Sequence, residues 1–173
     1  MANPVPEKLI NFRVYNEGED LIGVADVELP ELEAMTETVK GAGIAGEVDS
    51  PVLGHYQALT LKLTWRVTTA NAAKLAAPKA HQLDCRGSMQ YYDAGSGEYQ
   101  PKPVQCVMKA IPKKAGLGKL EPGALMDTGM EFEVVYLKLS IEGNEIVEID
   151  KLNYICKIDG TDYLAAVRGD LGL

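Results

Sequence analysis

The segment Gly41–Gly46 reads GAGIAG and has the spacing G-x-G-x-x-G of loops that bind the pyrophosphate of a dinucleotide. In such folds the loop follows a buried strand and opens a helix, and an acidic residue about 20 positions further on binds the ribose. Here polar residues precede Gly41, Pro51 interrupts the required helix, and Arg66 occupies the position of the acid. We therefore expect no cofactor. Two roles remain for the glycines: freedom of φ in a long loop, or close approach of another backbone.

The other residues with potential for catalysis are scattered along the chain. The two histidines, His55 and His81, would each need a nucleophile and an orienting acid nearby, and the sequence does not show such neighbours. Glu131 and Glu133 are two residues apart and so share one face of a strand. Such a pair could bind a metal or act in acid–base chemistry, but a solvated strand face is the commoner case. We expect no catalytic residue and no metal site.

Length and composition indicate one soluble domain covering residues 1–173. Apolar residues make up 46% of the chain and charged residues 24%, and no apolar run is long enough to span a membrane. The first residues lack the basic and apolar regions of a secretory signal. The three cysteines, Cys85, Cys106 and Cys156, have no C-x-x-C spacing, so we predict buried free thiols in a reducing cytosol.

The net charge of −8 is unevenly distributed along the sequence. Residues 1–60 carry 11 acids and 3 bases, residues 61–120 carry 3 acids and 10 bases, and residues 121–160 carry 9 acids and 3 bases. A nucleic-acid-binding protein would be basic overall or along one face, so this pattern argues against that class. Two interpretations remain open: the blocks pair within one subunit, or acidic and basic surfaces meet between copies of the chain.

Alternation of apolar and polar residues, which is typical of half-buried strands, dominates the sequence. The clearest example is ALTLKLTWRV, residues 58–67. One face of this strand carries Leu59, Leu61, Leu63, Trp65 and Val67, and the other carries Thr60, Lys62, Thr64 and Arg66. Further strands are predicted within residues 21–30, 85–92, 102–111, 130–141 and 145–158, the last of them broken near Asp150.

Two short segments have helical character. Residues 69–77, TANAAKLAA, predict a helix with Thr69 as its N-cap and Pro78 as its end. Residues 162–169 predict two further turns that are capped by Gly169.

Two polar segments, residues 31–57 and 112–129, are predicted to be long loops. Loops of this length in a small domain usually serve a function or become ordered on binding. The predicted fold class is therefore mainly β, an antiparallel β-barrel or sandwich with one flanking short helix and long loops.

Residues 136–173 resemble the C-terminal signature of the major tail tube proteins of contractile-tailed phages and R-type tailocins. The matching residues are Tyr136, Leu137, Leu139, Gly143, Glu148, Ile149, Asp150, Asn153, Gly160, Asp162, Leu164, Arg168, Leu171, Gly172 and Leu173. A second match is LPEL at residues 29–32 with the glycine-rich loop at 40–46, where Ile44 replaces an expected methionine of similar volume. The resemblance runs along the whole chain, in its middle third by pattern only.

The resemblance implies a structural subunit that forms hexameric rings, which stack into a hollow tube inside a contractile sheath. Strands of the subunits join into one barrel around the lumen, and DNA or ions pass through without specific binding. The implied partners are further copies of the chain, the sheath protein, a tube initiator or baseplate protein, a tail terminator and a tape measure protein in the lumen. The implied location is the virion, with assembly in the cytoplasm of the bacterial host.

Two sets of residues follow for such a tube. The resemblance implies contacts to neighbouring subunits and the adjacent ring through Lys40, Gly41, Ala42, Gly43, Ile44 and Gly46. The alternation along the strands predicts which residues of such a tube face the lumen. They are Asp26, Glu28, Thr60, Lys62, Thr64, Glu131 and Glu133. An acidic lumen would repel phosphate, although Lys62 and Arg66 dilute its negative charge.

Three other functions compete with that of a tail tube subunit. A type VI secretion tube protein shares the ring-forming architecture, but the LGL ending and the E-I-D segment favour the phage or tailocin family. A monomeric β-sandwich that binds carbohydrate would need clustered exposed aromatic residues, and alternation places Trp65 on a buried face. A nucleotide-dependent enzyme would be stabilised by its nucleotide.

Overall fold

Two antiparallel sheets make up most of the computed structural model, which describes residues 4–21 and 23–173. The strands are β1 (Pro4–Asn16), β2 (Glu19–Asp20), β3 (Val24–Glu28), β4 (Ala34–Lys40), β5 (Glu47–Tyr56), β6 (Thr60–Trp65), β7 (His81–Asp93), β8 (Glu98–Ala115), β9 (Thr128–Ile141), β10 (Asn144–Asp150), β11 (Ile155–Ile158) and β12 (Thr161–Asp162). The helices are α1 (Ala70–Lys74) and α2 (Ala165–Leu171). The predicted mainly-β fold is confirmed, as a sandwich-like arrangement that does not close into a barrel within the described residues.

Strand β9 is the centre of the larger sheet because it is hydrogen-bonded to three other strands. One of its edges pairs with β8. Its other edge is shared, because residues 128–133 pair with β6 and residues 136–141 pair with β10. The strand order β12-β11-β10-β9-β8-β7-β1-β2 therefore branches at β9 towards β6 and β3. This branch lets one sheet enclose a single hydrophobic core.

Strand β6 supplies the centre of the core, as its alternation predicts. Leu59, Leu61, Leu63 and Trp65 are fully buried and belong to the same cluster as residues of β1, β7, β8, β9 and α1. The prediction that Val67 shares this buried face is wrong, since Val67 is 51% exposed. The cause is that β6 ends at Trp65 and the chain bends before α1, so the alternation no longer sets the direction of the side chain.

Both helices form within or next to the predicted segments, but α1 ends at Lys74 rather than at Pro78, and α2 ends later than predicted. The Thr69 hydroxyl accepts a hydrogen bond from the Ala72 amide at 3.1 Å, which is the predicted N-cap of α1. The prediction that Gly169 caps α2 is wrong, because Gly169 lies inside the helix. Gly172, with φ of 74°, is the left-handed C-cap, and its amide donates to the Gly169 carbonyl at 3.1 Å.

The predicted long loop at residues 31–57 is largely a regular β-hairpin, formed by β4 and β5 and called the hairpin below. Its strands pair from Thr36 opposite Pro51 to Lys40 opposite Glu47, so the prediction of an irregular loop is wrong there. No residue of either strand is buried, and the alternation that identifies half-buried strands is therefore missing. The second predicted loop is irregular only over residues 116–127, because β8 extends to Ala115.

The three cysteines are buried and unbonded, as predicted. Cys85 and Cys106 lie directly opposite each other on β7 and β8. Burial raises the pKa of each thiol to about 12, and the charge of the neighbouring Asp84 adds to the shift. Both side chains are therefore protonated near neutral pH and pack as small apolar groups.

Replacement of Leu63 by Ala is expected to lower the free energy of unfolding by about 2–5 kcal/mol, because it removes core contacts and leaves a cavity. The matched control is Val67→Ala, which deletes apolar atoms at an exposed position of the same segment. Urea denaturation of the free subunit, followed by the fluorescence of Trp65, measures both changes. Equal destabilisation by the two variants would contradict the burial pattern of β6.

Cys85 and Cys106 are expected to react with an aromatic disulfide reagent far more slowly in the folded protein than in guanidinium. The raised pKa leaves very little of the nucleophilic thiolate at about pH 8, and burial blocks access to the sulfur. Spectrophotometric thiol counting on the folded subunit and on the unfolded chain gives the two rates. Reaction of this pair at the rate of free cysteine in the folded protein would be inconsistent with the structure.

Candidate functional site

A four-stranded sheet at the branch of β9 collects the residues that alternation predicts to face a lumen. Its strands are, in order, β3, β6, the first part of β9 and the end of β8. Strand β8 pairs with β7 as far as Ala110, opposite His81, and its last residues, Ile111–Ala115, have β9 alone as a neighbour. In the described ranges, the outer edges of β3 and of Ile111–Ala115 are therefore both unpaired. Unpaired edges of this kind can take up a strand from another chain.

One face of this four-stranded sheet, called the charged face below, brings the predicted lumen residues together. They are Asp26, Glu28, Thr60, Lys62, Thr64, Glu131 and Glu133, and none of them is buried. The register places Lys62 between Glu28 and Glu131 of the neighbouring strands. The opposite face of the same sheet is part of the hydrophobic core.

Two carboxylates of the charged face are paired with lysines. Lys62 Nζ lies 3.4 Å from the Glu28 carboxylate. Glu133 lies 3.6 Å from Lys113 Nζ and 3.3 Å from Lys151 Nζ. These groups are all partly exposed, so each pair contributes little to stability on its own. Their main effect is on the surface potential, because the charged face presents both signs of charge.

Lys113 and Lys151 belong to the charged face although no sequence pattern indicates it. Lys113 comes from the extension of β8 and also donates to the Thr60 hydroxyl at 2.9 Å. Lys151 follows β10 and donates to the Gln57 carbonyl at 2.8 Å. Both contacts join segments that are distant in the sequence, so they depend on the register between strands rather than on local spacing.

The residues predicted to contact other subunits lie at the tip of the hairpin, and all are exposed. They are Lys40, Gly41, Ala42, Gly43, Ile44 and Gly46. Gly41, Gly43 and Gly46 have φ of 129°, 92° and 126°, which side chains rarely allow. No heavy atom lies within 4 Å of a Cβ added at any of these glycines. Within the subunit they therefore serve the turn, and the spacing G-x-G-x-x-G reflects the shape of the hairpin tip.

The hairpin has a hydrophilic side and an apolar side. On the hydrophilic side the Thr38 hydroxyl donates to Asp49 at 2.7 Å, and Lys40 Nζ lies 3.5 Å from Glu47. The other side, called the apolar side below, carries the exposed side chains of Met35, Val39, Val48 and Val52, together with Glu37 and Ser50, which lie opposite each other. Val39 and Val48 lie directly opposite each other in the ladder. The hairpin thus displays apolar surface that nothing in the described part of the subunit buries.

The base of the hairpin is fixed against the C-terminal part of the chain. At Gly54 an added Cβ would lie 2.7 Å from the side chain of Leu164, so only glycine allows this contact. Two residues later, the Tyr56 hydroxyl lies 3.8 Å from Cys156 Sγ. These contacts set the direction in which the exposed hairpin projects.

Residues of the C-terminal signature hold that part of the chain together. The Asp150 carboxylate accepts a hydrogen bond from the Asn153 amide at 3.0 Å and shapes the turn after β10. The Arg168 guanidinium donates to the Tyr154 carbonyl and to the Asp162 carboxylate, both at 2.6 Å. The hydrogen bond from Arg168 is the main cause that lowers the pKa of Asp162. These residues therefore tie α2 to the preceding turn.

The two histidines considered for catalysis lie on different strands, His55 on β5 and His81 at the start of β7. His81 is buried, with Nε2 3.2 Å from the Ala77 carbonyl, whereas His55 is exposed, with Nδ1 2.8 Å from the Leu53 carbonyl. Among the described residues, no three His, Cys, Asp or Glu side chains are grouped so that they could hold a metal ion. The same residues include no helix that is long and apolar enough to cross a membrane.

Known proteins resemble this chain along nearly its whole length. A model of the family described as phage tail tube protein FII matches residues 6–172. The tail tube protein of Escherichia phage P2 is 28% identical over 179 residues, which cover 98% of this chain and 99% of that protein. The major tail tube protein of Serratia phage KSP20 is 24% identical over 176 residues, which cover 98% of each chain. The resemblance found in the sequence is confirmed, and this chain belongs to the phage tail tube proteins, a family of structural and non-enzymatic proteins.

Proposed function

We propose that this tail tube protein forms hexameric rings that stack into the inner tube of a contractile tail. The lumen of that tube is the conduit by which DNA, or ions in a DNA-free particle, crosses the host envelope. The four-stranded sheet carries this proposal, because it combines two open edges with one face of charged and hydroxyl side chains. A subunit of this kind can extend its sheet into the next copy and still present a hydrophilic surface to one side.

The two open edges are suited to pair with each other between copies. Successive strands of the four-stranded sheet are antiparallel, so β3 and the end of β8 run in opposite directions. Rotation about a tube axis leaves the direction of each strand along that axis unchanged. Strand β3 of one copy therefore meets Ile111–Ala115 of the next as an antiparallel neighbour. Repetition of this contact around the axis closes a ring with no free edge.

In such a ring the charged face lines the lumen. Glu28 and Glu133 are already paired with lysines, and Glu131 lies opposite Lys114, so repulsion of phosphate rests mainly on Asp26. The lysines are in turn neutralised by these acids and do not form a continuous basic track. DNA is then neither held by the wall nor strongly repelled from it, which suits passage without specific binding.

The hairpin supplies the proposed contacts between subunits and to the adjacent ring, through Lys40–Gly46 at its tip. Its apolar side is exposed along both strands, and exposed apolar surface of this extent is typical of interaction sites. Its glycines and its paired strands hold one conformation before any partner binds. Less conformational entropy is then lost on assembly.

Further proposed partners bind outside the ring contacts. The sheath protein covers the outer surface, an initiator or baseplate protein and a terminator bind the two tube ends, and a tape measure protein fills the lumen. Assembly in the cytoplasm of the bacterial host is consistent with three free thiols, because that compartment keeps thiols reduced. The finished tube is then part of the virion.

Assembly is expected to protect backbone amides at both open edges from hydrogen exchange. Negative-stain electron microscopy over a concentration series separates conditions with free subunits from conditions with rings or tubes. Outward-facing amides of β3 and of Ile111–Ala115 should exchange more slowly by about tenfold or more in the assembled state. Amides of β6, which is paired on both sides within the subunit, are the control. Rings whose edges exchange as fast as in free subunits would contradict the edge pairing.

Reversal of Asp26 and Glu28 to lysine is expected to impair the passage of DNA, because the new lysines would hold phosphate at the wall. The readout is the infectivity of a phage whose tube is built from the variant, with tube length and number checked by electron microscopy. A control with the same change in net charge is Glu19→Lys with Glu98→Lys, at exposed positions outside the charged face. Normal tubes with undiminished infectivity would refute the role of lumen charge at these two positions.

A further inference from the structure

The end of the four-stranded sheet away from the hairpin carries an ordered loop, residues 116–127, called the leucine loop below. The Lys119 amide donates to the Met126 carbonyl at 3.0 Å, and the Met126 amide donates to the Arg66 carbonyl at 2.8 Å. Gly118, with φ of 83°, is so closely packed that an added Cβ would lie 2.8 Å from the Met126 carbonyl oxygen. The conformation of the loop is therefore fixed by contacts within the subunit.

This fixed loop holds apolar side chains in solvent. Leu117, Leu120 and Leu125 are 69%, 91% and 54% exposed, and Val67 on the adjoining segment is 51% exposed. The Thr68 hydroxyl donates to the Leu117 carbonyl at 3.0 Å and keeps the two segments together. Several exposed apolar side chains on one rigid element are typical of a protein–protein contact.

The hairpin and the leucine loop lie at opposite ends of the four-stranded sheet. The leucine loop connects β8 to β9 next to Trp65, where β6 ends. The hairpin leaves the sheet after Glu28, at the end of β3, and returns to it at Thr60, where β6 begins. In a stack of identical rings that all point the same way, one end of each ring faces the other end of the next. The two elements are thus placed to meet between rings.

The two elements are complementary in apolar surface. The leucine loop carries one lysine, Lys119, and two acids, Glu121 and Asp127, and Lys119 Nζ lies 3.0 Å from the Glu121 carboxylate. The apolar side of the hairpin, with Val39 and Val48 exposed at its centre, matches the exposed leucines. An apolar centre with a charged rim is the usual composition of a specific interface.

We propose that the hairpin of one subunit docks on the leucine loop of a subunit in the adjacent ring, with Leu120 as the central apolar contact. The ion pair of Lys119 with Glu121 then lies at the rim of the contact. This docking depends on the proposed tube function and adds to it the surface that receives the hairpin. It makes stacking of rings separable from closure of a ring, since the open strand edges are not involved.

Leu120→Asp tests the apolar centre of this contact. Because Leu120 is 91% exposed, the variant should fold and melt like the parent. Rings should still form, but stacked tubes should become rarer by about tenfold or more at the same protein concentration. Leu173→Asp, the same substitution at a 73% exposed leucine outside the loop, is the control and should leave tubes unchanged. Electron microscopy counts rings and tubes in each sample.

A substitution on the hairpin tests the other half of the contact. Val48→Asp, at a 51% exposed position opposite Val39, should also give rings that fail to stack, because a carboxylate would replace an apolar side chain that meets the leucine loop.

The outcomes separate this docking from the tube function. Tubes of normal number from Leu120→Asp would overturn the docking. Loss of rings as well as tubes would also overturn it, because the leucine loop would then be a contact within the ring. Failure of the unaltered chain to form rings at any concentration would instead contradict the proposed function itself.

Discussion

Hydrogen bonding of β9 to three other strands is the constraint on which the rest of the structure depends. Strands β6 and β10 share one edge of β9. The first half of β9 therefore pairs with β6 in the four-stranded sheet, and its second half pairs with β10 of the C-terminal strands. Phe132 and Val134 are buried on one side of β9, whereas Glu131 and Glu133 point to the other. On the other edge of β9, β8 continues beyond His81, where β7 begins, and this leaves the edge of Ile111–Ala115 open. A closed barrel would have no such edge.

The elements that can be predicted from the sequence are those in which burial differs between two faces. In β6, Leu61 and Leu63 are fully buried and Lys62 is exposed. Alternation therefore predicts both that a strand forms and which of its faces is buried. The hairpin has no such contrast, since both of its sides are exposed, so polar residues there give the appearance of a loop. Its strands exist because they pair with each other, and pairing leaves no clear mark on composition. The end of α2 at Gly172 rather than Gly169 likewise depends on backbone hydrogen bonds that the residue types do not specify.

On the charged face, alternation predicts some of the residues, whereas others are placed there only by the register between strands. Each predicted lumen residue could be assigned to a side of its own strand, and the structure places these sides together. Lys113 could not be found in this way, because it is the extra residue at an irregularity of β8 between Pro112 and Lys114. The extra residue also shifts the alternation, because Pro112 lies opposite the buried Phe132 and Lys114 lies opposite Glu131 on the charged face. The ion pair of Lys113 with Glu133 is a consequence of this local shift.

The uneven charge along the sequence has two origins in the structure. Contacts such as Lys62 with Glu28 and Lys113 with Glu133 join the basic middle of the chain to the acidic parts on either side, so much of the charge is balanced within the subunit. The hairpin is different, because its three acids, Glu37, Glu47 and Asp49, share a single lysine, Lys40. That imbalance is carried by an element that buries none of its own residues and presents apolar surface beside its acids. A monomer gains nothing from such an element, whereas a subunit that binds copies of itself gains both affinity and orientation from it.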